Sequence, residues 1–258
     1  MTEEICREFI IKTRLSNQGE SDQRKGLPQP SLESAYTGLD TIKLPKPDSV
    51  NVKNVSLREA IEGRESVRSY SGEGLTLEEL SWLLWCTQGV KKVVRKGSSD
   101  PHARQVQADL TLRTVPSAGA RHPLETHLLV NRVEDLEPGL YRFNSTEHGL
   151  SSIRSDPDLL ERVSKACPGQ RQVGESAVTF IWSAVPYRMS WRHGGRGYRY
   201  LFLDAGHVCQ NLYLAAEAID CGVCAIGVYY DEELGDILGI DEEEQFVIYC
   251  ASVGKKTE

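Results

Sequence analysis

Apolar positions along the chain fall into segments of helical and strand period, beginning near residue 56. Leu77, Leu80, Leu83 and Leu84 recur at three- and four-residue steps while Glu78, Glu79 and Ser81 fill the other face, which predicts an amphipathic helix ending at Gly89. Thr76-Leu77-Glu78-Glu79 opens it with capping-box spacing, and Ser56-Leu57-Arg58-Glu59 does the same for a short helix stopping near Gly63. Residues 200–219 carry the longest helical pattern, apolar almost all round, as in a helix buried mid-core or at a subunit interface, with Gly222 as its expected end. Further helices are expected from Ser155-Asp156-Pro157 to about Cys167, and from Asp231 to Leu238. Strand patterns cover 124–133, 139–143, 176–185 and 245–253, with a short apolar segment at 225–229. The span 91–109 is charged and irregular, the mark of a loop or lid. Residues 187–199 are aromatic and basic and read as a loop or the lead-in to a helix. Strands and helices are interspersed without a regular βαβ rhythm, so an α+β layer fold is expected.

Residues 1–50 are different in kind: polar, rich in Pro, Ser and Gly, with Leu27-Pro28-Gln29-Pro30 and Leu44-Pro45-Lys46-Pro47 held extended. They read as an extended N-terminal arm, with a helix near Glu4 to Arg14, laid on a folded domain of residues 51–258. At 258 residues, 40% hydrophobic, the chain can bury a sizeable core. A net charge of −7 argues against nucleic acid or an anionic membrane as partner. No apolar run reaches membrane-spanning length, and the acidic start Met-Thr-Glu-Glu lacks signal-peptide order, so a cytoplasmic location is expected. The seven Cys, an odd count, read as reduced thiols.

Three segments carry candidate chemistry. The loop from Arg113 to Glu125 bends at Pro116 and Gly119, and Ser117, Ala118 and Ala120 leave no bulk above it, so its backbone can lie against a flat ligand; alone, it also reads as an ordinary loop before a strand. Arg64-x-Ser66-x-Arg68 places two guanidiniums and a hydroxyl where they can converge on a phosphate, or form a charged surface turn. Gly254-Lys255-Lys256 offers a further cation or a solvated tail. Cys221-Gly222-Val223-Cys224 follows a helix end and lacks a second pair, which favours structural thiols over a metal or redox site. His122 and His127 have neither helical nor strand ligand spacing, and His207 reads as a core or interface histidine, so no metal site is expected. There is no Gly-x-Gly-x-x-Gly after a strand, no phosphate-loop Lys-Ser/Thr and no Gly-x-Ser-x-Gly elbow.

Taken in order, Arg64-Glu65-Ser66-Val67-Arg68-Ser69-Tyr70, Thr114-Val115-Pro116-Ser117-Ala118-Gly119-Ala120-Arg121-His122-Pro123 and Ala225-Ile226-Gly227 resemble the nitroreductase superfamily, and more closely its SagB-type dehydrogenase branch. Leu80-Ser81-Trp82-Leu83-Leu84-Trp85, Pro138-Gly139-Leu140-Tyr141 and Arg196-Gly197-Tyr198-Arg199-Tyr200-Leu201 running into Asp204-Ala205-Gly206-His207 extend the resemblance to roughly residues 50–255. It implies an α+β, nitroreductase-like FMN-binding fold: a mixed central sheet flanked by helices, in an intertwined homodimer with FMN at the interface. Arg64 and Ser66 would hold the FMN phosphate, with Lys255 as a further candidate; Arg68 would lie by the ribityl chain and the N1/O2 edge. Pro116, Ser117, Ala118 and Gly119 of the partner would pack on the ring, and Ile226 and Gly227 would lie at its other face or at N5. The implied chemistry is ping-pong hydride transfer through flavin N5, from NADH, NADPH or an organic substrate to a small acceptor, with no protein nucleophile. Two rivals follow: an azoline dehydrogenase of peptide maturation, and a flavin-binding protein without turnover. Azoline dehydrogenases carry a Lys-Tyr pair where this chain has Arg192-His193. His193, Tyr198 and Arg199 are therefore the substrate-side candidates. Glu65 stands where the family often has a second Arg.

Overall fold

A computed structural model describes residues 2–34 and 41–257, the side chains of 103, 105 and 106 excepted; residues 35–40 of the expected arm lie outside the described residues. In chain order the helices are α1 (Thr2–Lys12), α2 (Leu57–Gly63), α3 (Leu77–Gln88), α4 (Pro101–Val106), α5 (Leu159–Ala166), α6 (Gln172–Glu175), α7 (Pro186–His193), α8 (Gly197–Glu217) and α9 (Asp231–Leu238). The strands are β1 (Thr41–Lys43), β2 (Val90–Val94), β3 (Leu110–Arg113), β4 (Leu124–Val130), β5 (Gly139–Asn144), β6 (Gly149–Arg154), β7 (Val178–Ala184), β8 (Cys221–Ile226) and β9 (Phe246–Lys255).

Seven strands form one sheet in the order β1-β6-β5-β4-β7-β9-β8, and β2 pairs with β3 apart from it. Every named strand pair is antiparallel. The sheet becomes mixed at one point: Ser66 makes a parallel bridge to Val223 along the outer edge of β8. Helices cover both faces. Leu80, Leu83 and Leu84 of α3 and Leu201, Val208 and Leu212 of α8 share one cluster with Leu128 and Phe180. Leu159 and Val163 of α5 and Leu234 and Ile237 of α9 share the other with Leu129 and Ile181. Adjacent strand residues thus enter opposite layers, which is why β4 and β7 are buried at every position.

The capping boxes of α2 and α3 form as expected, with Ser56 and Thr76 each accepting an amide and Glu59 and Glu79 reaching back. Three expectations are corrected. The span 91–109 is not irregular: Val93 and Val94 pair with Thr111 and Leu110, and a small cluster around Val94 and Leu110 gives the hairpin its own core. Residues 186–193 are helical, because Pro186 suits the first turn and Met189 and Trp191 are buried. Gly222 does not end α8; the chain reverses near Asp220, and Gly222 lies inside β8. A Cβ on Gly222 would come within 2.5 Å of Val67, so its bareness lets the 64–68 segment close on the strand.

The N-terminal segment does more than lie on the body. β1 is an edge strand of the sheet, and Leu44 joins the core. Glu33 accepts from the amides and hydroxyls of Ser145 and Thr146. α1 itself buries no residue and is moored at its far end, where Arg196 and Arg199 donate to the carbonyl and hydroxyl of Thr13.

Candidate functional site

The cradle of Arg64, Ser66 and Arg68 is built on the edge of β8. The Val67 amide donates to the Val223 carbonyl at 3.0 Å, which stitches the segment to the strand. Ser66 is exposed, and its hydroxyl lies 3.1 Å from the Tyr213 hydroxyl on α8. The Arg64 guanidinium stacks 5.4 Å from the Tyr213 ring centroid, and Arg68 folds back to donate to the Ser66 carbonyl at 3.2 Å. Neither arginine makes an ion pair among the described residues. Two cations without a carboxylate beside an exposed hydroxyl are a donor set that fits a phosphate.

The loop at 116–120 is a second, rigid piece. Gly119 takes φ +61, and a Cβ there would come within 2.5 Å of Arg192 Nε and 2.9 Å of His193 Nε2. The Ala118 amide donates to Asp204 Oδ1 at 3.3 Å, and the His122 amide donates to the Ser117 hydroxyl at 2.9 Å. Asp204 is 4% exposed, and its other carboxylate oxygen finds no partner among the described residues; burial raises its pKa.

Asp204 and Tyr213 are nine residues apart on α8, so they leave the helix about 180° apart and about 13 Å along its axis. The chain therefore presents the cradle and the loop on opposite sides of one helix. The outward seam of that helix is open: Tyr198, Phe202, Leu203, Gly206, His207 and Gln210 are exposed, with Phe202 at 57% and Leu203 at 58%. His207 is thus a surface residue of this seam and not a core histidine in the single chain.

The remaining candidates separate. Ile226 is buried at the end of β8, and Gly227 beyond it is exposed, with open space where a Cβ would stand. Lys255 is already partnered, its ammonium donating to Glu79 and to the Ile219 carbonyl. Lys256 is no free tail, since it donates to both oxygens of Glu217. His193 packs edge-on against Tyr200 and bonds the Ala118 backbone; burial, then the adjacent Arg192 charge, push its pKa down. Its Nε2 is buried and unpartnered among the described residues, under the loop and closed to solvent. Tyr198 is exposed, while Arg199 is committed to the arm at Thr13 and Ile10. Cys221 and Cys224 are buried in β8, and burial pushes the Cys221 thiol up to about 12. A buried cluster absent from the sequence reading joins arm to sheet: Glu125 pairs with Arg142 at 2.6 Å and Arg188 at 2.5 Å and accepts from the Ser34 amide and hydroxyl. No helix among the described residues is long and apolar enough to cross a membrane.

With this geometry in place, comparison with known proteins is decisive for the class. Residues 61–255 match the Nitroreductase family. A Methanocaldococcus jannaschii protein assigned to the nitroreductases, MJ1384, is 31% identical over 219 residues, 85% of this chain and 99% of that one. The chain belongs to the nitroreductase family, whose members are oxidoreductases. A solved structure assigned as a nitroreductase from Anabaena variabilis superposes with a TM-score of 0.61 at 28% identity, covering 87% of this chain and 45% of that one. The trifolitoxin-processing protein TfxB of Rhizobium leguminosarum bv. trifolii is 31% identical over 112 residues, 42% of this chain and 30% of TfxB. That match agrees with the SagB-type resemblance read from the sequence.

Proposed function

We propose that this protein is an FMN-dependent oxidoreductase that acts as a cytoplasmic homodimer, each flavin site combining the cradle of one protomer with the loop of its partner. The observation that carries the reading is the opposed placement of those two pieces on α8. A flat ligand reaching both needs a second copy, and the exposed seam at Phe202 and Leu203 supplies a surface for it.

In this reading Arg64 and Ser66 hold the phosphate. Arg68 places positive charge by the ribityl chain and the N1/O2 edge, where it favours the electron-rich form of the ring. Pro116, Ser117, Ala118 and Gly119 of the partner lie on one ring face, and the Ile226–Gly227 backbone lies at the other. Lys255 stands outside the set because Glu79 holds it. Once bound, FMN supplies two-electron hydride transfer from NADH, NADPH or an organic donor to a small acceptor in turn. The side chains position the ring and exclude water, and none is asked to act as nucleophile.

A second reading, oxidation of an azoline in a peptide substrate, is favoured by the match to TfxB, a protein named for trifolitoxin processing. His193 is a poor base for it, because its free nitrogen is sealed beneath the loop. We expect His193→Ala to leave any peptide-azoline turnover standing, unless the loop above it collapses.

The deciding experiment is an anaerobic visible spectrum of the purified protein before and after NADH or NADPH. Flavin bands that bleach are expected, and they name the donor. Bands that persist with both donors, and with a peptide azoline, would leave a flavin-binding protein without turnover. Absence of flavin, with none taken up from added FMN, would sink the reading.

A further inference from the structure

Tyr213 makes a chain of hydrogen bonds from the backbone of β8 to the cradle. The Ala225 amide can only donate, and it donates to the Tyr213 oxygen at 2.9 Å. With that oxygen already accepting, the phenolic proton is free for the Ser66 oxygen 3.1 Å away. In that arrangement Ser66 accepts, and its own proton is left to point outward from an exposed position. The same ring carries the Arg64 guanidinium on its face. Tyr213 is only 7% exposed and belongs to the same core cluster as Leu212 and Val223, so these relations are held by the core. One buried side chain thereby orients two of the three cradle residues.

We propose that Tyr213 is the positioning residue of the phosphate cradle, holding Ser66 as an outward donor and Arg64 in register, and so giving the site its preference for a phosphorylated flavin. The inference rests on the FMN reading above. It concerns the phosphate end alone, which makes it separable from any question of donor or acceptor.

The test is equilibrium titration of wild-type and Tyr213→Phe apoproteins with FMN and with riboflavin, read by flavin fluorescence. The ring survives in the variant, and only the hydroxyl is lost. We expect the Kd for FMN to rise about tenfold, the size of one charge-assisted hydrogen bond, while the Kd for riboflavin stays within about twofold. In a Ser66→Ala background the Tyr213→Phe change should add nothing, because its effect passes through Ser66. Equal weakening of both flavins, or no change in either, overturns the proposal. A wild-type protein with no preference for FMN over riboflavin overturns the FMN reading and the proposal together, and that result is visible without any variant. Should Tyr213→Phe fail to fold, Ser66→Cys decides: its thiol fills the same space but donates weakly, so FMN preference must fall, and retained preference overturns the proposal.

Discussion

Gly119 combines a left-handed backbone with a neighbour that leaves no room for a methyl group. Gly119→Ala should therefore cost more than about 1 kcal/mol in backbone strain alone and push the loop off Arg192 and His193. The expected outcome is purification with flavin largely lost while the melting temperature falls by only a few degrees; full flavin retention would show that the loop does not touch the ring. The glycine was legible from the sequence because turn residues gather around it. Asp204 and Tyr213, which hold the loop and the cradle, were not. Each sits in a helix among apolar residues, and each matters through a partner 86 or 147 positions away in the chain. Local pattern reports which residues sit in a helix, and it carries no information about which distant backbone amide or hydroxyl that helix meets.

Among elements, the arm and the sheet are joined through a buried charge. Glu125 lies between Arg142 and Arg188, with the amide and hydroxyl of Ser34 of the arm as its third partner. Glu125→Gln removes the buried carboxylate that Arg142 and Arg188 share and should destabilise the fold by about 3–5 kcal/mol, measured by denaturant unfolding. The same region sets the response to acid. Burial pushes His127 down to about 4 from 6.5, so as pH falls between those values the unfolded chain takes up a proton that the folded chain refuses, and stability drops. Burial acts to raise Glu125, but Arg188 and Arg142 outweigh it and hold the carboxylate at about 2, which carries the loss on from pH 4.5 downward. The melting temperature should fall steadily on acidification below about pH 6.5; a flat profile down to pH 4 would contradict this assignment. The elements themselves were legible where caps and periodicity agree, as in α2 and α3. The β2–β3 hairpin was hidden because Lys91, Lys92, Arg95 and Lys96 mask a strand whose apolar residues bury only in a small satellite cluster. α7 was hidden because its buried apolar residues, Met189 and Trp191, are outnumbered by polar and basic ones such as Arg188, Ser190, Arg192 and His193.

For the whole molecule, the exposed seam of α8 is the feature on which the proposed two-chain site depends. Phe202→Glu with Leu203→Glu should convert a dimer to monomers and release flavin together, as read by sedimentation and absorbance. Monomers that keep flavin would place the complete site within one chain. The fold was legible at this scale because apolar residues recur along the whole of the 21-residue α8, which marks it as a helix packed against the sheet. The opposed placement of cradle and loop has one more consequence. If each site draws its cradle from one protomer and its loop from the other, an Arg64→Ala chain and a Gly119→Ala chain are each defective alone, yet they are not defective together. In a dimer assembled from one of each, both lesions fall on a single site and the other is whole. Unfolding and refolding the two inactive variants as a mixture should restore up to half a flavin per chain in the mixed species, an inheritance of function that neither parent has.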